Sequence, residues 1–330
     1  MSNTSAATEL LSGSRQRGRW FEYACWLATW SAMAILVTLL FVILWQGLTY
    51  VNWHFLSRYE DKLQPERSGI LPGLWGSFWL MLLTCAFSIP VGVGAAVYLE
   101  EYSNDNWLTR LIKLNLSNLA GVPSIVYGIL GLTVFVRMFD IFAHQKLVVQ
   151  GPLGMYMPLP FGETIVSGAL TLSLLSLPVI IVATQEALRA VPQSLRHASI
   201  ALGATRWQTV SRQVLPAALP GIMTGVILSI SRAIGETAPL IVVGCATFIQ
   251  ECPPGVDSPV ELLQSPEMIF QIPFSTYTSL PNTIYGWSSD ARPVVAHKIA
   301  AGIIVLLVVL MAINGLAIYI RNRAQKHLNW

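Results

Sequence analysis

Apolar residues in this chain run in long unbroken blocks, without the strict alternation of half-buried strands or the three-to-four spacing of surface helices. Six blocks reach the roughly 20 residues a helix needs to cross a bilayer: about 23–48, 74–99, 116–136, 164–183, 218–243 and 298–320. Pro90 and Gly92 interrupt the second block, Pro178 the fourth, and Gly121 and Pro123 should loosen or break the third within AGVPSIVYG. Between the blocks lie polar residues 49–72, the charged turn EEYSNDNWLTR, a Pro/Gly-rich loop at 139–160, a basic stretch at 186–216 and a Pro/Ser-rich loop at 251–293. The pattern predicts an all-α polytopic membrane protein with about six transmembrane helices. Its parts are a tail at 1–22, a first span and outer loop at 23–69, a transmembrane domain at 70–320 and a second tail at 321–330.

Composition supports the bilayer. Of 330 residues, 54% are hydrophobic and 11% charged, where soluble domains carry about a quarter charged. A net charge of +3 gives no nucleic-acid footprint; the distribution of the positives is more informative. With both termini placed in the cytoplasm, twelve Lys and Arg fall inside and five outside, the five being Arg58, Lys62, Arg67, Lys146 and Arg292. The positive-inside bias therefore makes 186–216 a cytoplasmic loop and puts 251–293 on the opposite side. No cleavable signal peptide is expected, because the first apolar run is too long for one. The four cysteines show no paired spacing and read as ordinary buried small residues. No phosphate-binding loop, zinc-protease motif or nucleophile elbow is present. Energy for any uphill transport must come from a partner, and no cofactor is expected in this chain.

Two places carry candidate chemistry. The stretch 186–216, EALRAVPQSLRHASIALGATRWQTVSRQVLP, reads as two short helices joined at Gly203, exposing basic side chains and too little apolar surface to form a domain. It fits a groove on another protein; a hairpin attracted to anionic membrane lipid is the alternative. The second place is the fifth block, where Arg232 and Glu236 stand four residues apart on one helix face and can pair. Charges inside a span are costly and mark function or a structural lock. On the functional reading Arg232 attracts an anion and Glu236 offsets it, with Ser229 and Thr237 adding hydroxyls and Ser124 reaching the path from the broken third block. A structural ion pair against a neighbouring helix fits the same residues.

The basic loop resembles the EAA loop of ABC-importer permeases, with His197-Ala198-Ser199, Gly203 and Leu215-Pro216 at the matching positions and ALGATRWQ between them. It departs where His197 replaces the glutamate, Ser199 the second alanine and Gln213 an apolar residue. SRAIGETAPL at 231–240, the run at 98–128 and the run at 167–192 are together similar to PstA-type permeases of bacterial phosphate ABC importers. TIYGW at 283–287 and the closing IRNR favour that subunit over its PstC-type sister.

The resemblance implies a type I ABC importer permease fold in the bacterial inner membrane. It also implies a heterodimer with a PstC-type permease, two copies of a PstB-type ATPase that bind the ATP and magnesium, and a periplasmic PstS-type phosphate-binding protein. His197, Ala198, Ser199, Gly203, Ala204, Leu215 and Pro216 would form the ATPase-coupling site. The alternatives are the PstC half of the same importer, or a permease for sulfate or molybdate.

Overall fold

The computed structural model describes residues 3–61, 68–137, 147–150, 156–159, 162–247, 249, 272–290 and 292–326. Five of its helices are long and apolar enough to cross a membrane, and a bent pair brings the number to six. In chain order the helices are α1 (Asn3–Gly47), α2 (Trp53–Ser57), α3 (Leu71–Val97), α4 (Trp107–Leu119), α5 (Ser124–Gly131), α6 (Ile165–Arg189), α7 (Gln193–Ala201), α8 (Arg206–Thr209), α9 (Leu215–Gly235), α10 (Ala238–Val242), α11 (Leu280–Trp287) and α12 (Pro293–Lys326). Wider π-helical turns follow α3 at Tyr98–Tyr102, α5 at Leu132–Arg137 and α8 at Val210–Val214.

The bundle is built around α6, which is buried along most of its length, with α3 on one side and α9 on the other. Lipid tails are as apolar as leucine, so these helices associate by close packing and not by a hydrophobic drive. Their interface is accordingly made of small and hydroxyl side chains. Gly92 faces Ile180 of α6, while Gly221 and Gly225 of α9 face Ala187 and Ala183. Buried hydroxyls bond to carbonyls one turn back, as a water-free interior requires: Thr84 to Leu80 at 2.7 Å, Thr171 to Ser167 at 2.7 Å and Ser173 to Ala169 at 2.7 Å. By contrast α1 is exposed along its apolar length and rests on α12.

At the end of the bundle opposite α7, a polar cluster fastens Glu60 and Ser68 to α11 and α12. Lys298 is buried, donates to Ser68 Oγ and lies 4.1 Å above the ring of Trp287. Trp287 Nε1 donates to Glu60 Oε1 at 2.7 Å.

Several expected boundaries change. The third block is no continuous span: α4 meets α5 and its π turn at 110°, with the corner at residues 120–123. Pro123 starts α5, and Tyr127 Oη donates to Leu119 O across the corner at 2.9 Å. Pro90 and Pro178 stay inside their helices instead. The fifth block stops at Gly235 and restarts as α10. Within the loop expected at 139–160, Leu147–Gln150 and Tyr156–Leu159 pair as an antiparallel hairpin. Of the 251–293 loop, residues 272–290 include α11, and residues 250–271 lie outside the described ones.

Candidate functional site: a broken helix and a two-helix loop

Pro239 explains the break in α9. Its ring collides with the carbonyl four residues back, that of Gly235, and it has no N–H to donate. The helix therefore ends at Gly235, and Glu236 takes an extended backbone with φ −79° and ψ 115°. Arg232 sits in the last turn, where its charge complements the negative end of the helix dipole. Its Nε donates to Glu236 Oε1 at 3.2 Å. Among the described residues Arg232 makes no other hydrogen bond, so both terminal guanidinium nitrogens stay open, and the side chain is 49% exposed against 20% for Glu236.

Depth follows from the pairing of α9 with α12. Arg321, the first residue of the polar tail, donates to Thr224 Oγ1 at 3.2 Å, and Ser231 donates to Asn314, seven residues along on each helix. At 1.5 Å per residue Arg232 lies about 12 Å along α9 from the Thr224 level. With the polar tail set at the membrane boundary, that is near the middle of a hydrocarbon core about 30 Å thick, and Glu236 follows just beyond the helix end.

The broken third block closes on this break. Gly128 lets α5 press onto α10: an added Cβ would lie 2.7 Å from Pro239 Cα and 3.1 Å from Val242 Cβ. Ser124, one turn earlier on α5, shares the Gly128 face and is half-buried, as is Thr237. Ser229 is not brought to this group. It is 2% exposed and donates to Ser176 O at 3.3 Å: although only three residues, about 60° of helix, separate it from Arg232, α6 packs over it and takes its hydroxyl.

The 186–216 loop is the second site. It folds as α7, a turn at Gly203 with φ +86°, and α8. Glycine is required at that φ, since a Cβ in the left-handed region costs about 1–2 kcal/mol. Thr205 and Gln208 cap α8 reciprocally, at 3.3 Å and 2.9 Å. His197 and Ala198 face outward, while Ser199 turns in to Thr209 at 2.9 Å. Ala204 is half-buried behind the turn. Leu215 and Pro216 begin α9, where Leu215 packs against the cluster of Leu188, Val191, Val214, Ala218 and Ile222.

The loop is not simply a basic surface: Arg189 pairs with Glu100 at 2.9 Å and Arg196 with Glu101 at 2.7 Å. It also presents two apolar side chains outward, Leu202 at 90% exposure and Trp207 at 64%. A cleft of about 560 Å³ opens beside α7, walled by Glu100, Glu101, Arg189, Arg196, His197 and Arg206 among others. Farther along the 98–106 turn, hydrogen bonding to the Arg110 guanidinium holds the Asp105 carboxyl below the usual carboxylate range. Glu100 and Glu101 read as part of a charged turn in the sequence. The available signal was a pair of acids ending one apolar block while the only comparably basic loop ends another.

Solved structures carry the same fold. The chain superposes on a bacterial alginate ABC transporter, solved with an alginate pentasaccharide-bound periplasmic protein, with a TM-score of 0.61 at 14% identity, covering 92% of this chain and 94% of that one. The profile of the family described as binding-protein-dependent transport system inner membrane component matches residues 88–326. The chain belongs to that family, as an inner-membrane transport component with several membrane-spanning helices. It is 35% identical over 208 residues to the probable ABC transporter permease protein YqgI of Bacillus subtilis, covering 63% of this chain and 64% of the relative. It is 34% identical over 214 residues to the phosphate transport system permease protein PstA 1 of Mycobacterium tuberculosis H37Rv, covering 64% of this chain and 63% of the relative. The chain thus spans just under two thirds of each of these two relatives.

Proposed function

We propose that this chain is the PstA-type permease half of an ATP-driven phosphate importer, with Arg232, Glu236, Thr237 and Ser124 on the anion's path. The observation that carries the reading is the Arg232–Glu236 pair at mid-membrane depth, held at a helix break with two guanidinium nitrogens open. A guanidinium fork suits a tetrahedral oxyanion, and an adjacent carboxylate keeps the site from holding that anion too tightly for release. Similarity to a relative named a phosphate transport permease points the same way. Ser229 has a helix-packing role in this account.

The partners would be a PstC-type permease, two PstB-type ATPases supplying the ATP and magnesium sites, and a PstS-type phosphate-binding protein. The Lys/Arg bias puts both termini and α7–α8 in the cytoplasm. There the ATPase would grip the surface of His197, Ala198, Leu202 and Trp207, with Gly203 setting the turn. The test is labelled-phosphate accumulation by cells that have this chain and these partners as their only phosphate importer. Accumulation that resists excess sulfate and molybdate supports the reading; accumulation abolished by either assigns the path to that other oxyanion.

A further inference from the structure

We infer that Glu101 and Arg196 form the strut through which movement of α7 is passed to the membrane-spanning helix α3. The inference rests on the coupling reading above and names the element it acts upon. None of the nine residues of α7 is buried, so apolar packing does not hold it to the bundle. Its hold is Arg196. Nη2 donates to Glu101 Oε1 at 2.7 Å and to Leu188 O at 2.9 Å, Nε donates to Glu101 Oε1 at 3.2 Å, and Nη1 donates to Val191 O at 2.7 Å. One planar fork thus joins α7 to two places at once: the acid that ends α3, and the carbonyl end of α6. Both partners of the ion pair are about nine-tenths shielded, with side chains 13% and 10% exposed. Such a pair escapes most of the solvent screening that makes surface pairs weak.

Geometry makes the joint stiff. The π turn at Tyr98–Tyr102 directs the two neighbouring acids to different partners: Glu101 takes Arg196, and Glu100 takes Arg189 of α6 at 2.9 Å and Lys113 of α4 at 3.2 Å. The foot of α3 is therefore tied to α4, α6 and α7 by charge-assisted bonds. α7 itself ends in the glycine turn, which by itself transmits little. A displacement of His197 and Ala198 reaches the span most directly through the adjacent Arg196. The ordinary EAA-loop glutamate is His197 here, and Glu101 brings a carboxylate to this helix from another part of the chain.

The test uses the complete transporter with its ATPase and binding protein in proteoliposomes, reading phosphate accumulated per ATP hydrolysed. Glu101→Gln and Arg196→Lys each keep the size of the side chain and remove the pair or its fork. Both are expected to lower the ratio about tenfold, the scale of one charge-assisted hydrogen bond, with the ATPase still co-purifying. Glu101→Asp, which keeps the charge, should recover part of it. An unchanged ratio in both variants overturns the strut. So does loss of the ATPase from both, because the pair would then only shape the loop. Leu202→Asp with Trp207→Asp separates the parent reading: it should release the ATPase, and an ATPase that stays bound shows that the coupling surface lies elsewhere.

Discussion

Replacing Gly225 by alanine tests the packing that holds the bundle together. An added Cβ would come nearer to Ala183 Cβ than the 3.0 Å that real Cβ atoms respect, whereas Ala183 Cα stands at 3.6 Å. With the alanine in place α6 and α9 must part by about 1 Å, and overpacking of this kind costs about 1–3 kcal/mol. Alanine also gains about 1 kcal/mol over glycine in helix propensity, which blurs the single variant. A double-mutant cycle with Ala183→Gly removes that ambiguity, because the propensity terms cancel and the remaining neighbour sits at ordinary contact distance. The expected coupling energy is about 1–2 kcal/mol in favour of the swapped pair. It would be read from mixed-micelle denaturation of the purified transporter. A coupling near zero would refute the close α6–α9 contact and the argument from small residues with it.

Gly203→Ala should destabilise the α7–α8 turn by about 1–2 kcal/mol through backbone conformation alone, since no atom lies within 4 Å of the added Cβ; ATPase binding to the variant measures it, and Gly203→Asn should be milder. Tyr127→Phe removes the bond to Leu119 O that closes the α4–α5 corner, and should cost about 1 kcal/mol in the same denaturation assay. Trp287→Phe deprives the buried Glu60 carboxylate of its indole donor, and about 1.5–3 kcal/mol should be lost; no loss would make the outer cluster incidental.

The spans were legible because a bilayer demands length and apolarity, both of which are written plainly in a sequence. Pro239 and Pro123 also sat in view, but a proline states only that something gives way. Pro90 and Pro178 remain inside helices, while Pro123 and Pro239 start new ones. At the two breaks α5 and α10 pack on each other, with Gly128 against Pro239, a contact the sequence pattern does not show. Arg232 and Glu236 could be paired from spacing, yet the pair survives a helix break that spacing did not announce. Ser229 was grouped with them on spacing, which does place it on nearly the same helix face, but α6 packs over that position and takes its hydroxyl. Glu100 and Glu101 meet arginines 89 and 95 residues away. Contacts that distant are set by the packing of α3 on α6, which no local pattern contains.

Phosphate uptake by cells carrying the whole transporter, with Arg232→Gln and Glu236→Gln set against the parent chain, bears most directly on the central claim. Assembly and ATPase co-purification are followed in the same cells. The account predicts that Arg232→Gln lowers uptake about tenfold or more with assembly intact, and that Glu236→Gln slows uptake by leaving the arginine unneutralised. Normal uptake in both variants, or a defect confined to assembly, would contradict it and reduce the pair to a helix-to-helix lock.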